Sequence, residues 1–423
     1  MDNNLKNIAL LIQKKEFSKA MENLDNLTTN EKNNFNYYFL RGITYLYLSN
    51  FNSAVENFSS AISLKNDNPT FYFYRGYTLS RLNQFDKTKE DYKKAIILKP
   101  NAPEFYNNLA GIYYKIGKNE KAIENYLKSI ELDKYLKPAF TGLLNVLSQT
   151  SDIKKNDSKI ILAHNELNKI DLNYSPDNYI KDIEIKKILD QTNVIVEENL
   201  ENFEFDKVQT YREQKLQPHC NRHLKIFKTK SIIPQHCFGC YKIQIEVENV
   251  VELVKLYIVF DKIKFKSENS RKCMIELRPL VNGNYKGLIF CNSIKESEEI
   301  SKEINATLIK NFNKNLKCKI KRGCSEYYIK YPDYNKLDNT AMKYNSDWKD
   351  YEKEFDEKNP DMIFDDLSNP TISGISLFDA LVFRNWLSYA KMIGDVSYKK
   401  VSNKIFYSKF VEKKLEIKSK TIN

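Results

Sequence analysis

A period of 34 residues governs the first part of this chain. Written in blocks of 34 from residue 1, the first 136 residues align with themselves without a gap. The eighth position reads Ile8, Gly42, Gly76, Ala110, and the eleventh Leu11, Tyr45, Leu79, Tyr113. The seventeenth is Phe17, Phe51, Phe85, Asn119, and the twentieth Ala20, Ala54, Thr88, Ala122. Large residues recur at Leu24, Phe58, Tyr92 and Tyr126, and mostly small ones at Leu27, Ala61, Ala95 and Ser129. These spacings predict two amphipathic helices per block, small residues where the paired helices approach and aromatics in the gaps. A unit this short buries its apolar face only by stacking on its neighbours, which makes an all-α solenoid the expected fold. A fifth block opens with Pro138, Phe140, Leu144 and Leu147 and loses the pattern at Asn156, so 137–170 is expected to be a capping helix pair.

The period and the small/aromatic columns resemble the tetratricopeptide repeat (TPR) over about a third of the chain. The resemblance implies binding of a peptide or protein partner in a concave groove lined by the first helix of each repeat. Its groove columns fall here on Phe39, Ile43 and Tyr47, on Phe73, Tyr77 and Arg81, and on Asn107, Tyr114 and Lys115. That is an aromatic groove with a basic end. The Lys/Asn pattern with which some members clamp a C-terminal carboxylate is absent, because Phe39 and Phe73 hold key columns. The competing reading is that several of these aromatics are buried between repeats.

The remaining two thirds has a different character. Residues 219–240, HCNRHLKIFKTKSIIPQHCFGC, carry three of the four histidines and three of the seven cysteines. Cys220-x2-His223 and Cys237-x2-Cys240 form two close pairs of nitrogen and sulfur ligands, the donor set tetrahedral zinc prefers. With four protein ligands and no position left for water, a structural Zn²⁺ site is expected, holding a loop poor in apolar residues. His219 and His236 are spare imidazoles; an iron–sulfur centre and a metal-free set of thiols are the alternatives. An odd number of cysteines, no basic, apolar leader and no long apolar run fit a reduced, cytoplasmic protein without a membrane span.

Charge is uneven. The chain carries a net +12, and residues 216–334 alone have 22 basic against 12 acidic residues. An anionic partner, nucleic acid included, is one reading of that excess, and a solubilising surface is the other. Beyond the cluster the pattern becomes strand, helix, strand, strand, helix, strand. The strands are expected at 241–247, 273–279, 285–291 and 316–321, the helices at 249–260 and 295–310, and a hairpin turn at Asn282-Gly283. This βαββαβ order is that of a ferredoxin-like α+β domain. Alternation sends Ile243, Ile245, Ile275, Leu277, Leu288, Phe290, Cys318 and Ile320 toward the helices. It leaves Lys242, Gln244, Glu246, Glu276, Arg278, Lys317, Lys319 and Lys321 on an open face. The basic members of that face (Lys242, Arg278, Lys317, Lys319 and Lys321) form the candidate anion-binding surface. Lys286–Phe290 faintly matches the RNP1 strand of RNA-recognition motifs, but with Phe290 on the helix side the stacking platform would be missing.

The expected organisation is therefore a TPR solenoid over 1–150, a helical connector over 151–215, the Cys/His and α+β domain over 216–334, and over 335–423 a polar linker with a C-terminal packing helix. That helix, Ser376–Ile393, has Ser376 and Asp379 as a capping box and Gly394 as its stop. No catalytic set emerges. Cys324-Ser325-Glu326 lacks a nearby histidine in sequence, and Glu276 with Arg278 and the metal pairs themselves name no reaction. The function expected is a scaffold-like adaptor that binds protein through its repeats. A nucleic-acid-binding regulator and a transferase or hydrolase using the array to hold substrate are the alternatives.

Overall fold

The computed structural model describes residues 3–422 except 152, 154–155, 173, 176–177, 201–203, 214–219, 280, 317 and 364–369. It divides into two compact units. The first comprises residues 1–143 with 350–368, the second residues 144–349 with 369–423.

The first unit is a ladder of helix pairs at the sequence period: Asn3–Gln13 and Phe17–Asp25, Phe35–Tyr47 and Phe51–Leu64, Pro69–Arg81 and Phe85–Leu98, Pro103–Lys115 and Asn119–Leu132. Local chemistry starts these helices. Asn34, Asn50 and Asn68 each accept a backbone N–H with their side chains, and Pro69 and Pro103 occupy first-turn positions that need no donor. The turn inside each pair places one residue in the left-handed region, at the same column every time: Lys15, Ser49, Asn83 and Gly117. The small eighth column is explained by close approach, since a Cβ on Gly42 would stand 2.7 Å from the Phe58 ring. Residues Trp348–Lys358 form a helix, and within the first unit Asn83 donates to the Pro360 carbonyl at 3.0 Å.

The second unit is built on a five-stranded antiparallel sheet in the order β1-β3-β4-β2-β5, with β1 Gln209–Arg212, β2 Tyr241–Val247, β3 Arg271–Ile275, β4 Tyr285–Cys291 and β5 Cys318–Arg322. The helices Val250–Lys262 and Ile294–Phe312 join β2 to β3 and β4 to β5. β4 lies between β2 and β3, which splits the strand–helix–strand unit. β1 was not expected, because the stretch 151–215 read as helical. Its inward residues, Thr210 and Arg212, are polar and answer a polar partner. Both bond to Asp379 on the helix Leu377–Met392, and the Arg212 guanidinium also meets Asp261 at 2.7 Å. All three charged groups are essentially buried.

The register corrects one face assignment. Ile243 pairs with Ile289 and Ile245 with Gly287, while Lys242 pairs with Phe290 and Gln244 with Leu288. Leu288 and Phe290 therefore share the face of the lysines, and Ile289 and Gly287 look toward the helices. The physical reason is Gly287. Leu256 and Phe260 of the helix Val250–Lys262 press so close that a Cβ there would stand 2.5 Å from Leu256. A residue without a side chain marks the buried position, and alternation of apolar side chains misses it. Nor is the lysine face open throughout, because Gln244, Lys286, Leu288 and Glu276 on it are all buried. No helix among the described residues is long and apolar enough to cross a membrane.

Candidate functional site

The Cys/His cluster sits where β2 begins and β5 ends. Cys220 and His223 lie on the first turn of a helix, Cys220–Lys230, not on a tight knuckle, while Cys237 is in a 3₁₀ turn that delivers Cys240 to β2. The Gly323 N–H donates to the Cys240 carbonyl at 2.8 Å, which brings the turn after β5 alongside. One small cavity, about 10 Å³, is lined by Cys220, His223, His236, Cys237, Cys240, Gly323, Cys324 and Tyr327. That is about the room one water or one ion occupies. Four cysteines and two histidines thus face one space. Among the described residues, no group of three or more His, Cys, Asp and Glu side chains stands in metal-holding geometry as placed. His219 lies outside the described residues.

Electrostatics tie the sulfurs together. Burial pushes the Cys220 thiol up to about 12, and Cys324 and Cys240 push it in the same direction. Cys240 is pushed up to about 11 by burial and then by Cys324, and Cys237 is raised by burial and by all three other sulfurs. Cys324 is thus a neighbour of each of the other three. Cys220, Cys237 and Cys240 are protonated thiols at neutral pH unless a cation draws the protons off. His223 is buried and stacks on His236, ring centroids 5.3 Å apart. The module was expected to be poor in apolar residues, yet it has its own core. Ile233, Cys237, Tyr327 and Tyr334 are buried there, with Phe227, Phe238 and Trp348 packed against them.

Two lysines are within electrostatic range of the sulfurs. Lys242 and Lys272 both act on Cys220, and Lys242 acts on Cys240. Burial and then the charges of Lys242 and Arg278 lower Lys272 to about 8. Its ammonium reaches Gln209 Oε1 at 3.3 Å and lies over the Tyr211 and Phe290 rings.

The other expected site residues are dispersed. On the anion-binding surface, Lys242 faces Lys321 across the strands and Lys319 faces Gln244. Arg278 is held by Glu276 at 2.7 Å and Glu326 at 2.8 Å, and Lys317 lies outside the described residues. In the groove columns, Phe39 packs on Phe58, Phe71 and Tyr74, Phe73 stacks on Phe105, and Ile43 is buried. These three hold repeats together. Tyr47 and Tyr77 are 56% and 36% exposed. Arg81 pairs with Asp361 at 2.8 Å, while Asn107, Tyr114 and Lys115 are half-buried, Lys115 over the Phe85 ring. The sequence had offered Cys324 only as a candidate nucleophile. Its one local signal as a cluster member is the Gly323 before it, which has a positive φ and turns the chain back after β5.

Within the first unit, residues 35–68, 69–101 and 103–135 match the tetratricopeptide repeat. The chain carries a TPR segment over 35–135. Solved structures similar to it include MamA (residues 41 to the end) from Desulfovibrio magneticus RS-1, at 19% identity over 34% of this chain and 85% of that one, TM-score 0.32. A thermophilic TPR protein of Thermus thermophilus is 18% identical over 33% of this chain and 77% of its own, TM-score 0.30. The Arabidopsis OM64 TPR domain is 19% identical over 26% and 93%, TM-score 0.26. No curated protein sequence matches the chain.

Proposed function

We propose that this protein is an adaptor. Its TPR unit takes a peptide or protein partner along the first helices of the repeats, and its second unit is a ferredoxin-like α+β domain stabilised by a structural zinc ion. The observation that carries the adaptor reading is the repeat itself, three matched blocks with Tyr47 and Tyr77 left exposed on first helices. Exposed aromatics on a rigid solenoid supply contact area at little entropic cost. The test is capture of partners by the full-length chain, compared with Tyr47→Ala/Tyr77→Ala and with Ile97→Ala, a 72% exposed residue of a second helix. Loss in the tyrosine variant alone supports groove binding; equal capture by all three rejects it.

Zinc is supported by the donor chemistry of the cavity, soft thiols and imidazoles around room for one ion. The strand order, with β4 inside the β2–β3 unit, supports the ferredoxin-like description. A nucleic-acid reading finds support in Lys242, Lys319 and Lys321, which share a face with Phe290. It requires binding that falls steeply with added salt.

A further inference from the structure

We infer that the metal centre is a four-thiolate site, in which Cys220, Cys237, Cys240 and Cys324 hold a single divalent ion and Lys242 and Lys272 balance its charge. The inference rests on the zinc reading above and changes its ligand set. Cys324 enters and His223 leaves.

Four observations meet here. Cys324 is an electrostatic neighbour of each of the other three cysteines, and lines the same cavity. The backbone already brings its turn to Cys240, through the Gly323 N–H bonded to the Cys240 carbonyl. His223 is stacked against His236, ring centroids 5.3 Å apart, and would have to leave that ring to serve as a ligand. Lastly, neither Lys242 nor Lys272 makes an ion pair with a carboxylate among the described residues, and both are within electrostatic range of the sulfurs.

Charge decides between the two ligand sets. Four thiols give up four protons as they take one divalent cation, and the centre then carries two negative charges. Two ammonium groups cancel them. Three thiolates and a neutral imidazole leave one negative charge against the same two lysines, and so one half-buried cation unmatched. Since the sulfurs do not stand at coordinating positions as placed, binding turns their side chains inward about the Cα–Cβ bonds. A cavity with room for one ion favours a mononuclear centre over an iron–sulfur cluster.

The test uses the full-length chain produced without added zinc. Its metal content is measured, and the ion is exchanged for Co²⁺, whose sulfur-to-metal charge-transfer absorption counts thiolates. The expected result is one ion per chain with a four-thiolate spectrum. His223→Gln should retain both, and Cys324→Ser should drop to three thiolates or lose the ion. A three-thiolate wild type that is unmoved by Cys324→Ser and lost in His223→Gln overturns this ligand set while leaving the zinc reading intact. A chain that binds neither zinc nor Co²⁺ overturns both, and an iron–sulfide chromophore overturns the mononuclear centre. Should Cys324→Ser fail to fold, thiol alkylation of the native wild type gives the answer. Cys220, Cys237, Cys240 and Cys324 should be protected together and released together by a chelator, with Cys318 unaffected. Cys324 alkylated at once in the metal-loaded protein refutes the proposal.

Discussion

Gly323 has two reasons to be glycine. Its φ is +51°, and a Cβ there would fall on the Tyr334 hydroxyl, which donates to the Cys237 carbonyl at 2.6 Å. Gly374 also has a positive φ, +90°, but open space around it. Gly374→Ala therefore carries only the left-handed penalty of about 1–2 kcal/mol. Gly323→Ala adds overpacking of about 1–3 kcal/mol and should shift the urea midpoint further, with a change in tyrosine near-UV dichroism that Gly374→Ala lacks. Glu276 makes a pH prediction. Burial would raise its carboxyl, but Arg278 and Lys286 overcome this and hold it down at about 2, below its ordinary 4.5. A depressed carboxyl stabilises the fold fully above the unfolded value and loses that contribution as pH falls toward the folded one. Stability should thus decline between about pH 5 and pH 2, by up to about 3 kcal/mol from this group. Glu276→Gln should flatten that acid limb in urea titrations at stepped pH; an unchanged slope removes Glu276 from the account.

The helix Leu377–Met392 shows how one element depends on groups distant in sequence. Ser376 and Asp379 cap it reciprocally, and the same Asp379 carboxylate receives Thr210 and Arg212 from β1. Ser376→Ala should cost about 1 kcal/mol, the usual worth of an N-cap. Asp379→Ala should cost more, about 3–5 kcal/mol, because it leaves Arg212 buried with half its counter-charge. Equal losses in chemical denaturation would mean that the carboxylate acts only as a cap. The capping box was legible in sequence, since its spacing is local. β1 was not, because Gln-Thr-Tyr-Arg is a strand whose inward side chains are satisfied by aspartates far along the chain, and no periodicity records that. The register of β4 failed for a related reason: alternation reads side chains, and the residue under the helix is Gly287. The repeats were legible because each column recurs, down to the left-handed position at Lys15, Ser49, Asn83 and Gly117.

At the scale of the molecule, two separate cores predict two separate melts. The first unit is held by contacts between neighbouring helix pairs and by the ion pair of Asp361 with Arg81. The second is organised around the sheet and the cysteine-bearing module, whose fourth cysteine the sequence hid because Cys324 stands alone, far from the paired spacing of Cys237 and Cys240. Each compact unit with its own core is expected to unfold as its own cooperative unit, so calorimetry of the intact chain should resolve two transitions. An ion bound only by the folded second unit raises only its transition, by the linkage between binding and folding. A chelator should therefore lower one transition and leave the other in place. Asp361→Ala should move the other one, and only slightly, since an ion pair at 24% and 22% exposure is worth about 1 kcal/mol or less. One transition that responds to both treatments would mean that the two units share a single cooperative core, and the separation drawn here would fall.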